Sequence, residues 1–232
     1  MTEITILSVT RLSSGVCVAG VANDGEWVRP TRPNASDTWR QLEYVDCEDR
    51  KGNWIVQKGN RVKMDLVEPI PKGAHSEDWR IGDRKAQLVH ELSDDEYLNF
   101  CENHQEKSLE PLLPTTATRS LILVRPERFT SFTFYIDTSW EGKRSYIPRC
   151  GFVVDGQQYL RKPISDAEWR KYGRKYLRKN PRPKVRDILD ENCTENYWLT
   201  IGRNIMGSTL FLMVVGIHLF PVRHFAMDFK RS

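Results

Sequence analysis

Lysine and arginine side chains are concentrated in one segment of this 232-residue chain. Within residues 161–186, eleven of 26 side chains are basic and only Asp166 and Glu168 are acidic. The segment carries a formal charge of +9 and the whole chain +4, so the remaining residues sum to −5. A strongly basic segment on a mildly acidic chain predicts a localised contact with a polyanion, and nucleic acid is the most common such partner.

The pattern within the basic segment predicts a helix over about residues 165–180. Ser165 and Glu168 have the spacing of a capping box, and Pro181 and Pro183 would end the helix. The arginines recur every four residues and so share one helix face, with a row of lysines beside them. We therefore predict nucleic-acid-binding side chains at Arg170, Lys171, Arg174, Lys175, Arg178, Lys179, Arg182 and Lys184. An acidic protein partner, or acidic loops of the same chain, would explain these charges equally well.

Aromatic residues are interleaved with the basic ones. Trp169, Tyr172 and Tyr176 follow the i, i+3, i+7 spacing of a single helix face. This spacing favours a dry face that packs on the body of the protein over a surface that stacks on bases.

A second candidate contact lies near the N-terminus, where Trp27, Arg29 and Arg32 follow an Asp-Gly turn signal. Trp27 and Arg29 are two residues apart in a predicted strand, so their side chains point to the same face. An aromatic ring beside a guanidinium suits base stacking combined with a phosphate contact. The alternative is that Trp27 belongs to the core and that Arg29 pairs with a buried acid.

Metal and cofactor chemistry finds little support in the sequence. The five cysteines are widely spaced without a CxxC pair, and the five histidines lack HExxH or His-x-His spacing. The longest apolar run, residues 210–220, is about half the length of a membrane span and predicts a buried strand. No basic leader precedes the first strand signal. We predict a cytoplasmic protein with free thiols, without a metal or cofactor, and without a membrane partner.

Catalytic signatures are also weak. The chain has neither a GxSxG nucleophile elbow nor a GxxxxGK[ST] phosphate loop. Asp46, Glu48, Asp49 and Lys51 form a cluster of the kind that metal-dependent nucleases use, yet they lie on an irregular polar stretch that needs charge for solvation. A non-catalytic protein is the favoured interpretation.

Alternation of apolar and polar residues recurs in many short segments separated by turn signals. This pattern predicts a β-rich fold, mainly β with a few helices, made of small β-barrels. Pro111, Pro114 and a polar stretch interrupt the pattern. We therefore predict an N-terminal barrel over residues 1–112, with an irregular insertion and a helix, and a C-terminal barrel over residues 113–232 that contains the basic helix. Ser93 and Glu96 predict the start of the N-terminal helix as a capping box.

Four short motifs resemble those of the bacterial dual OB-containing domain family. Residues 14–20 (SGVCVAG) and 24–30 (DGEWVRP) are similar to the opening SGRCVAG and DGRWIRPV of that family. Residues 151–159 (GFVVDGQQY) are similar to its F.Y.G..Y hairpin, and residues 198–202 (WLTIG) to its LTVSLG ending. Val16 stands where an arginine is common in the family, and residues 169–186 have no counterpart in these motifs.

The resemblance implies two OB-like small β-barrels packed together and a protein that acts on or binds nucleic acid. It assigns no catalytic residue to this sequence. From the sequence we therefore expect a non-catalytic nucleic-acid-binding protein, DNA or RNA, in a bacterial mobile-element or defence setting. Two alternatives stay open: a nuclease or base-modifying enzyme with a site between the barrels, and an adaptor that docks an acidic protein.

Overall fold

The computed structural model describes residues 1–12, 15–33, 40–73, 75–114, 116–134, 136–138, 144–177, 182–191, 196–206 and 209–221. Strands predominate in these ranges, which confirms the prediction of a mainly β protein. They form several sheets, and within the described residues none of these sheets closes into a complete barrel.

The first part of the chain builds one large sheet. Its strands are β1 (Thr2–Arg11), β2 (Val16–Ala22), β3 (Trp27–Pro33), β4 (Arg40–Gln41), β5 (Asn60–Met64), β6 (Leu66–Pro69), β7 (Asp78–Ile81) and β8 (Gln87–Glu91). Their order is β6-β7-β3-β2-β1-β5-β8, with β4 paired to β3. The strands β3 and β7 are parallel, and the other pairs are antiparallel. The parallel pair brings Arg29 opposite Asp78.

The second part of the chain builds smaller sheets. Its strands are β9 (Leu121–Val124), β10 (Arg128–Thr133), β11 (Ile136–Thr138), β12 (Arg144–Tyr146), β13 (Arg149–Val154), β14 (Gln157–Pro163), β15 (Asn196–Met206) and β16 (Thr209–Phe220). One sheet has the order β10-β13-β14, a second pairs β11 with β12, and a third has the order β16-β15-β9. The α-helices among the described residues are α1 (Asp94–His104), α2 (Ala167–Leu177) and α3 (Val185–Glu191).

Local sequence signals explain several of these elements. Gly25 has φ +88°, which an Asp-Gly turn supplies, and the turn joins β2 to β3 as predicted. The Ser93 hydroxyl accepts from the Glu96 amide, and the Glu96 carboxylate accepts from the Ser93 amide. This reciprocal pair confirms the capping box predicted for α1.

Helix α2 is capped differently from the prediction. The carboxylate of Asp166 accepts from the Trp169 amide at 3.1 Å, whereas the Ser165 hydroxyl donates to the Val214 carbonyl. The helix therefore starts at Ala167 with Asp166 as its cap, because neighbouring strands already engage Ser165. The buried side chains of Trp169 and Tyr172 confirm that these two aromatic residues pack on the body of the protein.

The two parts of the chain pack directly on each other. A Cβ added to Gly216 would lie 2.4 Å from the Leu7 carbonyl oxygen, so only glycine allows β16 to approach β1 this closely. The Ser8 hydroxyl donates to the Val215 carbonyl across the same junction. One buried apolar cluster draws on both parts, since it contains Leu7, Tyr97, Trp198 and Phe220. The division into domains at residue 112 stays a prediction.

The described cysteines, at positions 17, 47, 101 and 150, form no disulfide with one another, and Cys193 lies outside the described ranges. Within those ranges, no helix combines the length and the apolar character needed to cross a bilayer.

Candidate anion-binding cleft

A cleft of about 460 Å³ opens where the large N-terminal sheet meets the sheet of β9, β15 and β16. Strands β1, β2 and β3 contribute to its lining, and helix α2 contributes Arg170. The floor is apolar, with Ala19, Leu121, Met213 and Val215 in contact with one another. The cleft therefore has contributions from both of the regions that the sequence marked as cationic.

The described lining of the cleft is rich in positive charge. Asp78 is the single carboxylate among these lining residues, and His75 is also present. The permanently cationic side chains are Arg11, Arg29, Lys72, Arg170 and Arg203. A concave surface with this excess of one sign focuses its electrostatic potential and attracts anions.

Arg29 is neutralised within the protein. Its Nε atom lies 2.5 Å from Oδ1 of Asp78, whose side chain is completely buried. Burial lowers the pKa of Arg29, but the hydrogen bond and charge of Asp78 outweigh this effect and leave the pKa above its ordinary value. The Arg29 guanidinium therefore stabilises the pairing of β3 with β7. Arg29 also lines the cleft.

Arg170 differs, because no carboxylate in the described ranges forms an ion pair with it. Its Nη2 atom donates to the Tyr146 carbonyl at 3.3 Å, and the side chain is half-buried. Burial lowers the pKa of Arg170, and the like charges of Arg174 and Arg11 lower it further. Such a guanidinium at the edge of a cleft is a position where an external anion would relieve repulsion.

The next turn of α2 extends the positive surface. Arg174 is exposed, with its guanidinium carbon 5.7 Å from the centre of the Tyr146 ring, and the described residues include no carboxylate paired with it. Lys171 is exposed on the same helix, and Lys175 belongs to its last turn. Arg182 and Lys184 are exposed between α2 and α3, whereas Arg178 and Lys179 lie outside the described residues.

The remaining predicted residues do not line the cleft. Arg32 binds Asp46 through two hydrogen bonds of 2.9 and 3.2 Å and also lies 3.6 Å from Asp83. Asp46, from the acidic cluster, is thus engaged as a counter-ion. Trp27 is half-buried against the apolar residues that form the cleft floor.

A polar constellation that sequence reasoning missed occupies one wall of the cleft. Nδ1 of His75 lies 2.7 Å from Oγ of Ser120, which also bonds to the buried carboxylate of Glu77. Burial raises the pKa of Glu77, but the hydrogen bonds from His75 and Ser120 outweigh burial and lower it overall. An ionised Glu77 can only accept, so Ser120 must donate to it and Nδ1 of His75 must donate to Ser120. In the neutral ring, this hydrogen bond leaves Nε2 of His75 as the acceptor.

The family assignment follows from a comparison with family models. The model of the dual OB-containing domain matches residues 2–189. The chain belongs to the dual OB-containing domain family. No curated protein and no solved structure matches it significantly. The matched region includes α2 and Arg170, although the family motifs in the sequence had offered no counterpart for the basic helix.

In this dual OB-containing domain protein, a buried ion cluster fixes the start of α2. Nζ of Lys58 lies 2.6 Å from Asp166, 2.9 Å from Glu168 and 2.8 Å from the Ile217 carbonyl oxygen. The Asp166 carboxylate also accepts from the Ile217 amide at 2.8 Å. Burial lowers the pKa of Lys58, but the two carboxylates outweigh it and raise the pKa overall, so the ammonium stays charged. The cluster thus ties the helix that carries Arg170 to both parts of the chain.

Separation along the sequence explains why the His75 constellation was missed. His75 and Ser120 are 45 residues apart, and neither belongs to a recognisable motif. The described residues contain no group of three or more His, Cys, Asp or Glu side chains arranged to hold a metal ion.

Proposed function

We propose that this protein binds nucleic acid without catalysing its reaction, with backbone phosphates seated in the cleft and along α2. The observation that carries the proposal is Arg170, a half-buried guanidinium whose charged neighbours are other arginines. Because α2 is fixed at its start by the Lys58 cluster, Arg170 is held at the cleft before any ligand arrives. A phosphate oxygen there would supply the missing negative charge through charge-assisted hydrogen bonds.

The surroundings of Arg170 support a polyanion over a single small anion. Arg174 and Lys171 continue the positive surface along the exposed side of α2. OB folds bind oligonucleotides through a strand face and its flanking loops, which is the general setting of this cleft. Each neutralised phosphate releases condensed counterions, so affinity should fall steeply with salt.

A salt titration of binding tests the proposal. Labelled single-stranded and duplex DNA and RNA would be titrated with the wild-type protein and with Arg170→Gln. Loss of one phosphate contact should flatten the slope of log K against log salt by about 0.7 on single strands or about 0.9 on duplex DNA. Arg128→Gln is the matched control, because Arg128 is an exposed arginine of β10 that does not line the cleft.

Two outcomes would reject the proposal. Absence of binding to every nucleic acid at low salt would favour an acidic protein as the partner. An equal slope for wild type and Arg170→Gln would remove Arg170 from the phosphate path.

The oriented His75 favours a second candidate function, hydrolysis of a phosphodiester in the cleft. Nε2 would take a proton from the attacking water as the water oxygen bonds to phosphorus. The protonated His75 would then give this proton to the leaving oxygen as its bond to phosphorus breaks, so that it departs as an alcohol. Incubation of labelled oligonucleotides with wild type and with His75→Asn, followed by analysis of products, tests this candidate. Turnover that His75→Asn abolishes would replace the non-catalytic proposal. The cytoplasmic location and the bacterial mobile-element or defence setting stay predictions.

A further inference from the structure

The exposed part of β16 carries an aromatic ring beside the cleft. Leu212 and Val214 point into the core of the second part of the chain. Met213 and Val215 alternate with them, so they point to the other face and line the cleft floor. Phe211 is two residues before Met213 and therefore shares the cleft face. It is 43% exposed.

The partner of Phe211 in the sheet fixes its position relative to the cleft. Phe211 pairs with Asn204 of β15, and Asn204 itself lines the cleft. The ring therefore lies at the end of the cleft, where the floor continues out to solvent. All other large apolar side chains of comparable exposure in the described ranges are aliphatic.

Within the described residues, the ring of Phe211 stacks on no other aromatic ring, in contrast to the many paired rings of the core. Single exposed apolar residues are common on proteins and carry no meaning alone. Phe211 is distinguished by its place, since it continues the apolar floor of a cleft whose rim is cationic.

We propose that Phe211 is a base-stacking platform that makes this protein select single-stranded nucleic acid. The inference rests on the proposed function and names its ligand class. A nucleotide with its base on Phe211 and the apolar floor would direct its phosphates toward the cationic rim that includes Arg170. Bases in a duplex are already stacked and paired, so an aromatic ring gains contact only with an unpaired base.

The expected energetic signature separates stacking from phosphate binding. Removing one base–aromatic stack should weaken binding to single strands between about 5-fold and 150-fold. The salt slope should stay unchanged, because stacking on an uncharged ring releases no counterions. Arg170→Gln should show the opposite pattern, a flatter salt slope.

The experiment measures binding of labelled oligo(dT), oligo(U) and duplex DNA to Phe211→Ala, Phe211→Trp and Ile205→Ala. Ile205 is a matched control, because it is an exposed apolar residue of the same hairpin that directly follows Asn204 and therefore points to the face opposite that of Asn204 and Phe211. We expect Phe211→Ala to lose single-strand affinity, Phe211→Trp to retain or increase it, and Ile205→Ala to match wild type. The two single strands report whether DNA or RNA is preferred.

The outcomes distinguish this inference from the function on which it rests. Equal affinity of wild type for single strands and duplex, with Phe211→Ala unchanged, would overturn the stacking platform and leave phosphate binding intact. An equal loss on duplex and single strands would also overturn it. If the wild-type protein binds no nucleic acid at low salt, both proposals fail.

Discussion

Strand β3 and helix α2 both present arginines to the cleft region, yet their charges are handled in opposite ways. On β3, Arg29 pairs with Asp78 and Arg32 pairs with Asp46. On α2, Arg170 and Arg174 have no carboxylate partner in the described ranges, and Arg170 is crowded by like charges. The paired arginines of β3 therefore stabilise the fold, whereas the arginines of α2 carry positive charge that a ligand can neutralise.

The largest expected effect concerns the start of α2, where Lys58 is the buried counter-ion of two carboxylates. Lys58→Met would leave Asp166 and Glu168 buried without their counter-ion, so we expect a loss of about 3–5 kcal/mol in the free energy of unfolding. Urea denaturation measures this loss in the free energy of unfolding. Lys63→Met is the control, because its pair with Glu3 is more exposed and should contribute little to stability. A loss for Lys58→Met as small as the control would show that the cluster does not hold the helix.

Substituting one arginine in each region tests the comparison directly. Arg29→Leu would remove the ion pair of the buried Asp78 carboxylate, so we expect it to cost about 3 kcal/mol of stability. Arg170→Leu would remove a half-buried charge that is repelled by its neighbours, so stability should be unchanged or increased, within about 0.5 kcal/mol. Thermal and urea unfolding measure both variants. Equal destabilisation would contradict the division into structural and ligand-binding arginines.

The junction between the two parts also contains a titratable group that stays neutral. Nδ1 of His218 lies 2.6 Å from the Tyr97 hydroxyl and Nε2 lies 2.8 Å from the Thr200 hydroxyl. Burial lowers the pKa of His218 well below 6.5, and the charge of Lys58 lowers it further. The unfolded chain takes up a proton below about pH 6.5 while the folded protein does not, so stability should fall as pH falls below that value.

The slope of this loss has an upper limit of about 1.4 kcal/mol per pH unit for one proton. Urea unfolding at several values between pH 7.5 and about pH 5 would measure it. His218→Gln should lack this contribution and show a shallower dependence than wild type. A dependence of the same steepness in both proteins would assign the acid sensitivity to other groups.

The smallest expected effect is at Arg32. Its side chain is 35% exposed, and its pair with Asp46 should contribute about 1 kcal/mol or less. Arg32→Gln should also leave the salt slope of nucleic-acid binding unchanged, since Arg32 does not line the cleft. Parallel salt titrations of Arg32→Gln and Arg170→Gln would compare the slopes of log K against log salt for the two variants. A flatter slope for Arg32→Gln would extend the phosphate path to β3.

Much of the fold could be predicted because its signals are local. The Asp-Gly turn at Gly25 and the Ser93 capping box each depend on a few consecutive residues, and both are present in the structure. The cap of α2 was predicted wrongly, because the choice between Ser165 and Asp166 depends on Lys58 and Val214, which are distant in sequence. The buried strand predicted for residues 210–220 is only partly buried, since its first residues extend beyond the packed core and expose Phe211.

Three properties could be predicted from the sequence alone. They are the β-rich fold, the resemblance to the dual OB-containing domain family, and the location of the concentrated positive charge. These properties follow from composition, alternation and short motifs. The folded structure was needed to identify the neutralised arginines, because the partners Asp78 and Arg29 are 49 residues apart in the sequence. It also brought Arg170 to the edge of the cleft and placed His75 beside Ser120. Such contacts arise when distant strands pair and pack, so charge compensation and site geometry are properties of the folded chain.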